Sequence, residues 1–316
     1  DLGFLPPVNQ MFKINEKNIN QDFFETGLFF CNKSKLVQIN TIVDKKIVFP
    51  KNYPYTSSST KILRDNFHNL SNEIRKKYNL KKKFIVDIGS NDGNLLSYFK
   101  DKYKVLGVTP ENVGKIAIKN GIPTIINYFD DKVAKKIVSR FGKAKLITAT
   151  NVFAHISNVK NLIKNIKKCL LENGVFISES HYLLPLIDNN QYDTIYHEHL
   201  RYYSLTSLNY LFSKYNLEIF KAETIDTHGG SIRVYASRKN KFKKSLSVSN
   251  ILSKEMHLEK KLYNFKNRVL KSKIRFYNLL SKIYRKNQFS KIAGIGAPSR
   301  ATTLINYLGL NESILE

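Results

Sequence analysis

From Lys83 onward the chain alternates short apolar runs with helix-patterned stretches, and this alternation limits its fold more than any other feature. Phe84-Ile85-Val86-Asp87-Ile88 reads as a buried strand, and a helix starts at Asn94. Val105 to Val108, Thr124 to Ile126, Lys145 to Ala149 and Gly174 to Ser178 read as four more strands. Helices fall between them, one reaching Ala117 and another running from about Val159 to Leu171. Such alternation builds a parallel sheet with helices on both faces. Leu217 to Phe220 and Ser231 to Tyr235 are expected as an antiparallel pair at the sheet edge. Upstream, Ile62, Leu63, Phe67, Leu70 and Ile74 recur at helical spacing and predict a helix from about Thr60 to Tyr78.

The flanks read differently. Residues 1–52 show little periodicity beyond a strand-like Leu36 to Ile39, and Tyr53 to Ser59 is a turn-rich aromatic connector. Residues 249–286 are helix-friendly, with Leu258, Leu262, Phe265 and Val269 in helical register. Ile292 to Pro298 predicts a strand and turn opening a second α/β unit. The expected organisation is an N-terminal module over 1–52, a central α/β domain over 53–240, a helical connector over 241–289 and the start of another domain over 290–316. A chain that begins at Asp1 without Met and has no closing feature near Glu316 is expected to be a fragment.

The formal charge of +27 invites a nucleic-acid reading. Yet 10 Arg stand against 42 Lys, spread along the chain rather than gathered in a stripe. No nucleic-acid partner is expected; a basic field favours a small anionic substrate. No run of about 18 apolar residues is present, so no membrane span is expected, and no signal peptide is visible. Two cysteines, Cys31 and Cys169, make no disulfide framework and fit a reducing cytoplasm. A monomer is expected.

Chemistry concentrates at Tyr196-His197-Glu198-His199. The chain has 7 His, and five lie between His155 and His228. Two imidazoles beside a carboxylate and a phenol suit proton transfer near neutral pH. A zincin HExxH would need histidine at position 201, where Arg201 stands, and no metal is expected. Asp87-Ile88-Gly89-Ser90-Asn91-Asp92-Gly93 follows a strand and opens a helix, where ligands bind in parallel sheets. It lacks the third glycine of the dinucleotide fingerprint. An acid followed by a glycine turn fits a ligand with a positive amino or sulfonium group, a pattern that recurs in S-adenosylmethionine-dependent methyltransferases. The second strand ends at Thr109, where such enzymes usually place an acid for the ribose hydroxyls; Glu111 lies two residues on. Asn151 and His155 follow the fourth strand. His228-Gly229-Gly230-Ser231-Ile232-Arg233 reads either as a tight turn with an exposed arginine or as a backbone nest with an arginine near phosphate.

Together these segments resemble the sugar C-methyltransferases that methylate carbon 3 of a nucleotide-linked 4-keto-deoxysugar. The matching motifs are DIGSNDGNLL (87–96), NVFAHI (151–156), DTIYHEHLRYYSL (193–205), HGGSIRVYA (228–236) and GIGAPSRATTLINY (294–307). The resemblance implies a class I, Rossmann-like methyltransferase domain flanked by an N-terminal zinc module and a C-terminal Rossmann-like domain, each present here only in part. Serine at position 34 replaces a cysteine of the family's CxxC, so zinc is not expected to be retained. The resemblance implies S-adenosylmethionine as cofactor, held by Asp87, Gly89, Ser90, Asn91, Asp92, Thr109 and Asn151. It implies His199 as the base that removes the C3 proton, giving an enolate that attacks the sulfonium methyl. Glu198 and Tyr196 would orient it or the sugar, His155 would stabilise charge at the keto oxygen, and Tyr55 would close over the site. Tyr53, Ser231, Arg233, Gly296 and Pro298 are candidates for the nucleotide sugar. Methyl transfer to oxygen or nitrogen, or a decayed and inactive member, are the alternatives.

Overall fold

The computed structural model describes residues 1–10, 12, 21–49, 56–80, 83–296 and 298–315. Its centre is a seven-stranded sheet: β1 (Phe84–Ile88), β2 (Lys104–Thr109), β3 (Thr124–Ile126), β4 (Ala144–Thr150), β5 (Leu170–His181), β6 (Leu217–Ile225) and β7 (Ser231–Arg238). The spatial order is β6-β7-β5-β4-β1-β2-β3. β1 to β5 run parallel, whereas β7 is antiparallel to both of its neighbours. The expected edge pair is therefore only half at the edge: β6 is the edge strand and β7 lies inside. The doubly wound α/β fold read from the alternation is observed.

Side chains alternate between the two faces of a strand. On β1, Phe84, Val86 and Ile88 join a core with Val133, Leu162, Ile166, Leu208 and Phe212 from the helices of one face. Ile85 points to the other face, where helix α1 (Lys61–Lys77) supplies Phe67, Leu70 and Ile74. Each of these three is almost fully buried, contributing roughly 1.5–3 kcal/mol.

Beneath α1 the sheet also carries charge. Glu179 of β5 is fully buried and accepts hydrogen bonds from Arg233 Nη2 (2.8 Å), Arg233 Nε (3.1 Å) and Asn66 Nδ2 (3.1 Å). Arg233 also donates to Glu223 at 3.1 Å and to the Asn66 carbonyl oxygen at 2.7 Å. Burial works against the guanidinium charge, but Glu179 outweighs it and raises the Arg233 pKa. Both sequence readings of this residue are corrected: Arg233 is neither exposed nor available to a phosphate, because a buried carboxylate claims it. Ser231 is fully buried too, its hydroxyl donating to the Thr227 carbonyl at 3.1 Å, so it is withdrawn as a substrate contact.

The N-terminal module is joined to the central domain by backbone pairing. Leu28–Cys31 and Leu36–Ile39 form an antiparallel hairpin, and Arg201–Tyr202 adds as the third strand of that sheet. On the other flank, the expected single connector is two helices, Leu246–Lys254 and Leu258–Lys286, parted by His257 at φ 63°. The strand expected at Ile292 to Ile295 does not form. A strand needs a neighbour for its N–H and C=O groups, and none of the described strands pairs there; Ile295 is fully exposed. The following helix, Ala301–Leu308, does form. Among the described residues no helix is long and apolar enough to cross a membrane.

Replacing Arg233 with Met strands the Glu179 carboxylate and is expected to cost about 3–5 kcal/mol in urea unfolding. Adding Glu179→Gln removes the orphaned charge and is expected to recover part of that loss. Equal stabilities of the single and double variants would contradict this account.

Candidate active site

The turn bearing the two histidines is built from its backbone outward. The His199 amide donates to the Tyr196 carbonyl at 3.0 Å and the Leu200 amide to that of Ala154 at 2.8 Å. Arg201 donates to the carbonyls of Ile156 at 2.5 Å and Ser157 at 2.9 Å. The arginine that breaks the zincin spacing thus ties the turn to the loop that follows β4. Tyr202 braces it from below, its hydroxyl 3.4 Å from the Thr194 carbonyl and accepting from the Tyr196 amide at 3.3 Å.

The two histidines of the motif diverge. His197 turns toward the N-terminal module, its Nε2 3.1 Å from Thr26 Oγ1 and 3.2 Å from the Glu25 carbonyl, with Phe24 edge-on to its ring. His199 turns inward. Its ring centroid is 4.4 Å from Tyr196, 5.1 Å from His155 and 6.3 Å from His181. The motif is a turn rather than a strand, so the two rings do not share a face. Among the described residues no group of three or more His, Cys, Asp or Glu is placed to hold a metal ion.

Backbone carbonyls set the tautomers. His199 Nδ1–H donates to the Thr194 carbonyl at 3.1 Å, leaving Nε2 as the lone-pair nitrogen. The Thr194 carbonyl, rather than Glu198, therefore orients this ring. His155 Nδ1–H donates to the Glu198 carbonyl at 2.8 Å, so its Nε2 is an acceptor while the ring is neutral. That corrects the expectation that His155 stabilises negative charge on an oxygen. The Glu198 carboxylate accepts from Asn9, whose side-chain oxygen accepts from Ser299 Oγ at 2.7 Å. Burial, then the neighbouring His155 and His181, holds His199 well below the usual imidazole range. Burial likewise lowers His155, and pulls His181 down to about 4.

Two further histidines were not singled out as site residues. His181 ends β5 and donates through Nε2–H to Gln191 Oε1 at 3.2 Å; Gln191 in turn donates to the Gly229 carbonyl at 2.8 Å. His228 accepts at Nε2 from Asn151 Nδ2 at 3.4 Å. The signal that could have found both was the concentration of five of the seven histidines between His155 and His228, under a quarter of the chain.

The glycine turn lies at the carboxyl end of β1. Gly89 has φ 72°, and a Cβ there would stand 2.3 Å from Val152 Cγ2, so only glycine fits. Asp87 is buried, accepts from Thr148 Oγ1 at 2.6 Å and is pushed up to about 7 by burial, with no cation beside it among the described residues. The Ser90 hydroxyl is buried without a partner among the described residues. Asn91 and Asp92 serve the connector instead: Asn91 accepts from the Ser57 amide at 2.8 Å, and Asp92 from Ser57 Oγ at 2.6 Å and the Ser58 amide at 3.1 Å. Thr109 donates to the Glu111 carboxylate, which restores an acid to the end of β2. A buried carboxylate with no cation beside it among the described residues, the open Ser90 hydroxyl and an acid at the next strand end fit S-adenosylmethionine.

Tyr53 and Tyr55 lie outside the described residues. Phe49, before them, packs edge-on to His155 at 5.5 Å. Gly296 and Pro298 are exposed in the loop leading to Ser299 and to Arg300, which pairs with Asp193 at 3.4 Å.

Residues 56–222 match the family model described as "Methyltransferase domain", and residues 226–316 match "C-methyltransferase C-terminal domain". The chain is 31% identical over 220 residues to the C-methyltransferase NovU of Streptomyces niveus, an alignment covering 69% of this chain and 52% of that protein. It thus spans about half the length of the curated relative it matches. Among solved structures it is similar to the magnesium protoporphyrin IX methyltransferase ChlM of Synechocystis PCC 6803 with bound SAH, at 12% identity and TM-score 0.45, over 56% of this chain and 83% of that one. A SAM-dependent methyltransferase from Anabaena variabilis ATCC 29413 aligns at 16% identity and TM-score 0.44, over 57% and 86%.

The lowered pKa values carry a stability prediction. His155, His181, His197 and His199 are all lowered from 6.5 in the folded chain. The unfolded chain therefore binds more protons below pH 6.5, and folding stability is lost as pH falls from there toward 4. Each ring contributes up to about 1.4 kcal/mol per pH unit while it is titrating only in the unfolded chain. Urea midpoints measured from pH 7 to 4.5 are expected to fall steeply, and His181→Asn to shallow the slope by about one proton. A flat wild-type profile would oppose this.

Proposed function

The chain belongs to the S-adenosylmethionine-dependent C-methyltransferase family, and we propose that it methylates the carbon beside the keto group of a nucleotide-linked deoxysugar. The observation that carries this reading is the state of His199. It is a neutral imidazole with Nδ1–H tied to the Thr194 carbonyl and Nε2 left as a base, among the groups at the carboxyl edge of the sheet. A proton next to a carbonyl is within reach of such a base, and the match of residues 226–316 to the C-methyltransferase C-terminal domain favours carbon over oxygen or nitrogen as its target. The motifs at 193–205 and 228–236 support the sugar class.

S-adenosylmethionine, when bound, supplies an electrophilic methyl group on a positively charged sulfur. The turn from Gly89 to Gly93 would hold it by close backbone approach, Asp87 would face its positive end, and Glu111, reached through Thr109, would take the ribose hydroxyls. Asn151, at the end of β4, borders the same space. His199 Nε2 takes the proton from the carbon, and Tyr196, packed tilted against its ring at 4.4 Å, limits that ring's movement. Glu198 holds the turn through Asn9 and Ser299, which links both terminal segments to the site. Gly296 and Pro298 remain the candidates for the nucleotide end.

Incubation with S-adenosylmethionine and a panel of nucleotide 4-keto sugars, read by mass spectrometry, is expected to show a gain of one methyl on carbon. His199→Asn is expected to bind the cofactor normally in calorimetry while turnover falls about 10²–10⁴-fold. The acid limb of kcat/KM is expected below pH 6.5, because the folded His199 is harder to protonate than a free imidazole. Near-normal methylation by His199→Asn would sink the assignment of the base.

A further inference from the structure

Removing a proton beside a carbonyl pushes negative charge onto its oxygen, and a donor aimed at that oxygen is worth more than any other single contact. A neutral imidazole has one N–H to give. In three of the four clustered histidines that proton is already committed: His155 to the Glu198 carbonyl, His199 to that of Thr194 and His181 to Gln191 Oε1. His228 differs. Asn151 donates into its Nε2, so the ring proton sits on Nδ1, and no acceptor among the described residues takes it.

The backbone around it is left-handed, as it is at seven other non-glycine positions among the described residues. His228 has φ 54° and Asn151 φ 57°, two left-handed non-glycine residues facing each other across the carboxyl edge of the sheet. Gly229 and Gly230, at φ 79° and 120°, hold the turn against Gln191 and Pro185, where a Cβ on either would clash. As a residue His228 is more exposed than His155, His181 and His199, although burial still lowers the pKa of its ring.

We propose that His228 is a further catalytic residue, whose Nδ1–H hydrogen-bonds the substrate oxygen as the neighbouring carbon loses its proton. The inference rests on the function proposed above. The proton passes from carbon to His199 Nε2, the C–H electron pair shifts toward the oxygen, and His228 keeps its own proton throughout. Asn151 is then the positioning residue that fixes the His228 tautomer.

The two amide replacements of histidine separate its nitrogens. His228→Asn puts an amide N–H near the Nδ1 position and tolerates the left-handed backbone; His228→Gln puts it near Nε2 and leaves the Nδ1 position bare. With a nucleotide 4-keto sugar, His228→Gln is expected to lose about 10²–10³-fold in kcat, with KM and cofactor affinity little changed. His228→Asn is expected to keep most of the rate. Deuterium wash-in from D2O at the sugar carbon, without cofactor, is expected to fall in step with kcat. Equal rates for wild type and His228→Gln, a change in KM alone, or normal wash-in with slowed methylation would each overturn the proposal. A wild-type chain that neither exchanges nor methylates overturns the proposed function, and this inference with it.

Discussion

The arrangement of the molecule depends on one buried charge. Glu179 has no exposure to water, and an ionised carboxylate in that position is tolerable only with a cation and hydrogen bonds around it. Arg233 is that cation, and it reaches Glu179 because β7 lies directly beside β5, with Arg233 opposite Glu179 in register. The antiparallel insertion of β7 is thus coupled to an electrostatic requirement beneath helix α1. It also decides where the turn before β7 falls: Gly230 accepts from the Tyr182 amide, and His228 comes to rest beside Asn151. The ion pair on one side of the sheet and the histidine cluster at its edge are two results of one strand placement.

Much of the fold was legible because apolar periodicity reports burial directly. Five parallel strands and helix α1 fall where the pattern puts them. The failures share a cause, which is that they depend on a partner distant in sequence. Ile292 to Ile295 has strand composition, yet a strand exists only where another chain segment pairs with it. Arg233 looked like a surface cation because its carboxylate lies on another strand. At the site, the choice of His199 over His197 came from the family resemblance, because the motif's spacing does not distinguish the two rings. The tautomers were not legible, since the carbonyls of Thr194 and Glu198 set them, and carbonyls carry no sequence signature. His181 was overlooked because a single histidine ending an apolar strand resembles any other cap.

The boundary expected near residue 52 is also blurred by the structure. The hairpin of the N-terminal module and Arg201–Tyr202 of the central domain share one ladder, and His197 reaches across to Thr26 and Glu25. The module is therefore part of the scaffold of the histidine turn.

That shared ladder has a consequence for how the chain is made. Val37 pairs with Tyr202, which emerges from the ribosome long after it. Until then the Leu36–Ile39 edge presents unpaired N–H and C=O groups, an open template for another strand. The histidine turn is thus completed late, by a non-local contact that is slow to find. The nascent protein is most exposed to mispairing during that interval, with half its central sheet already formed and its N-terminal hairpin still waiting for a third strand.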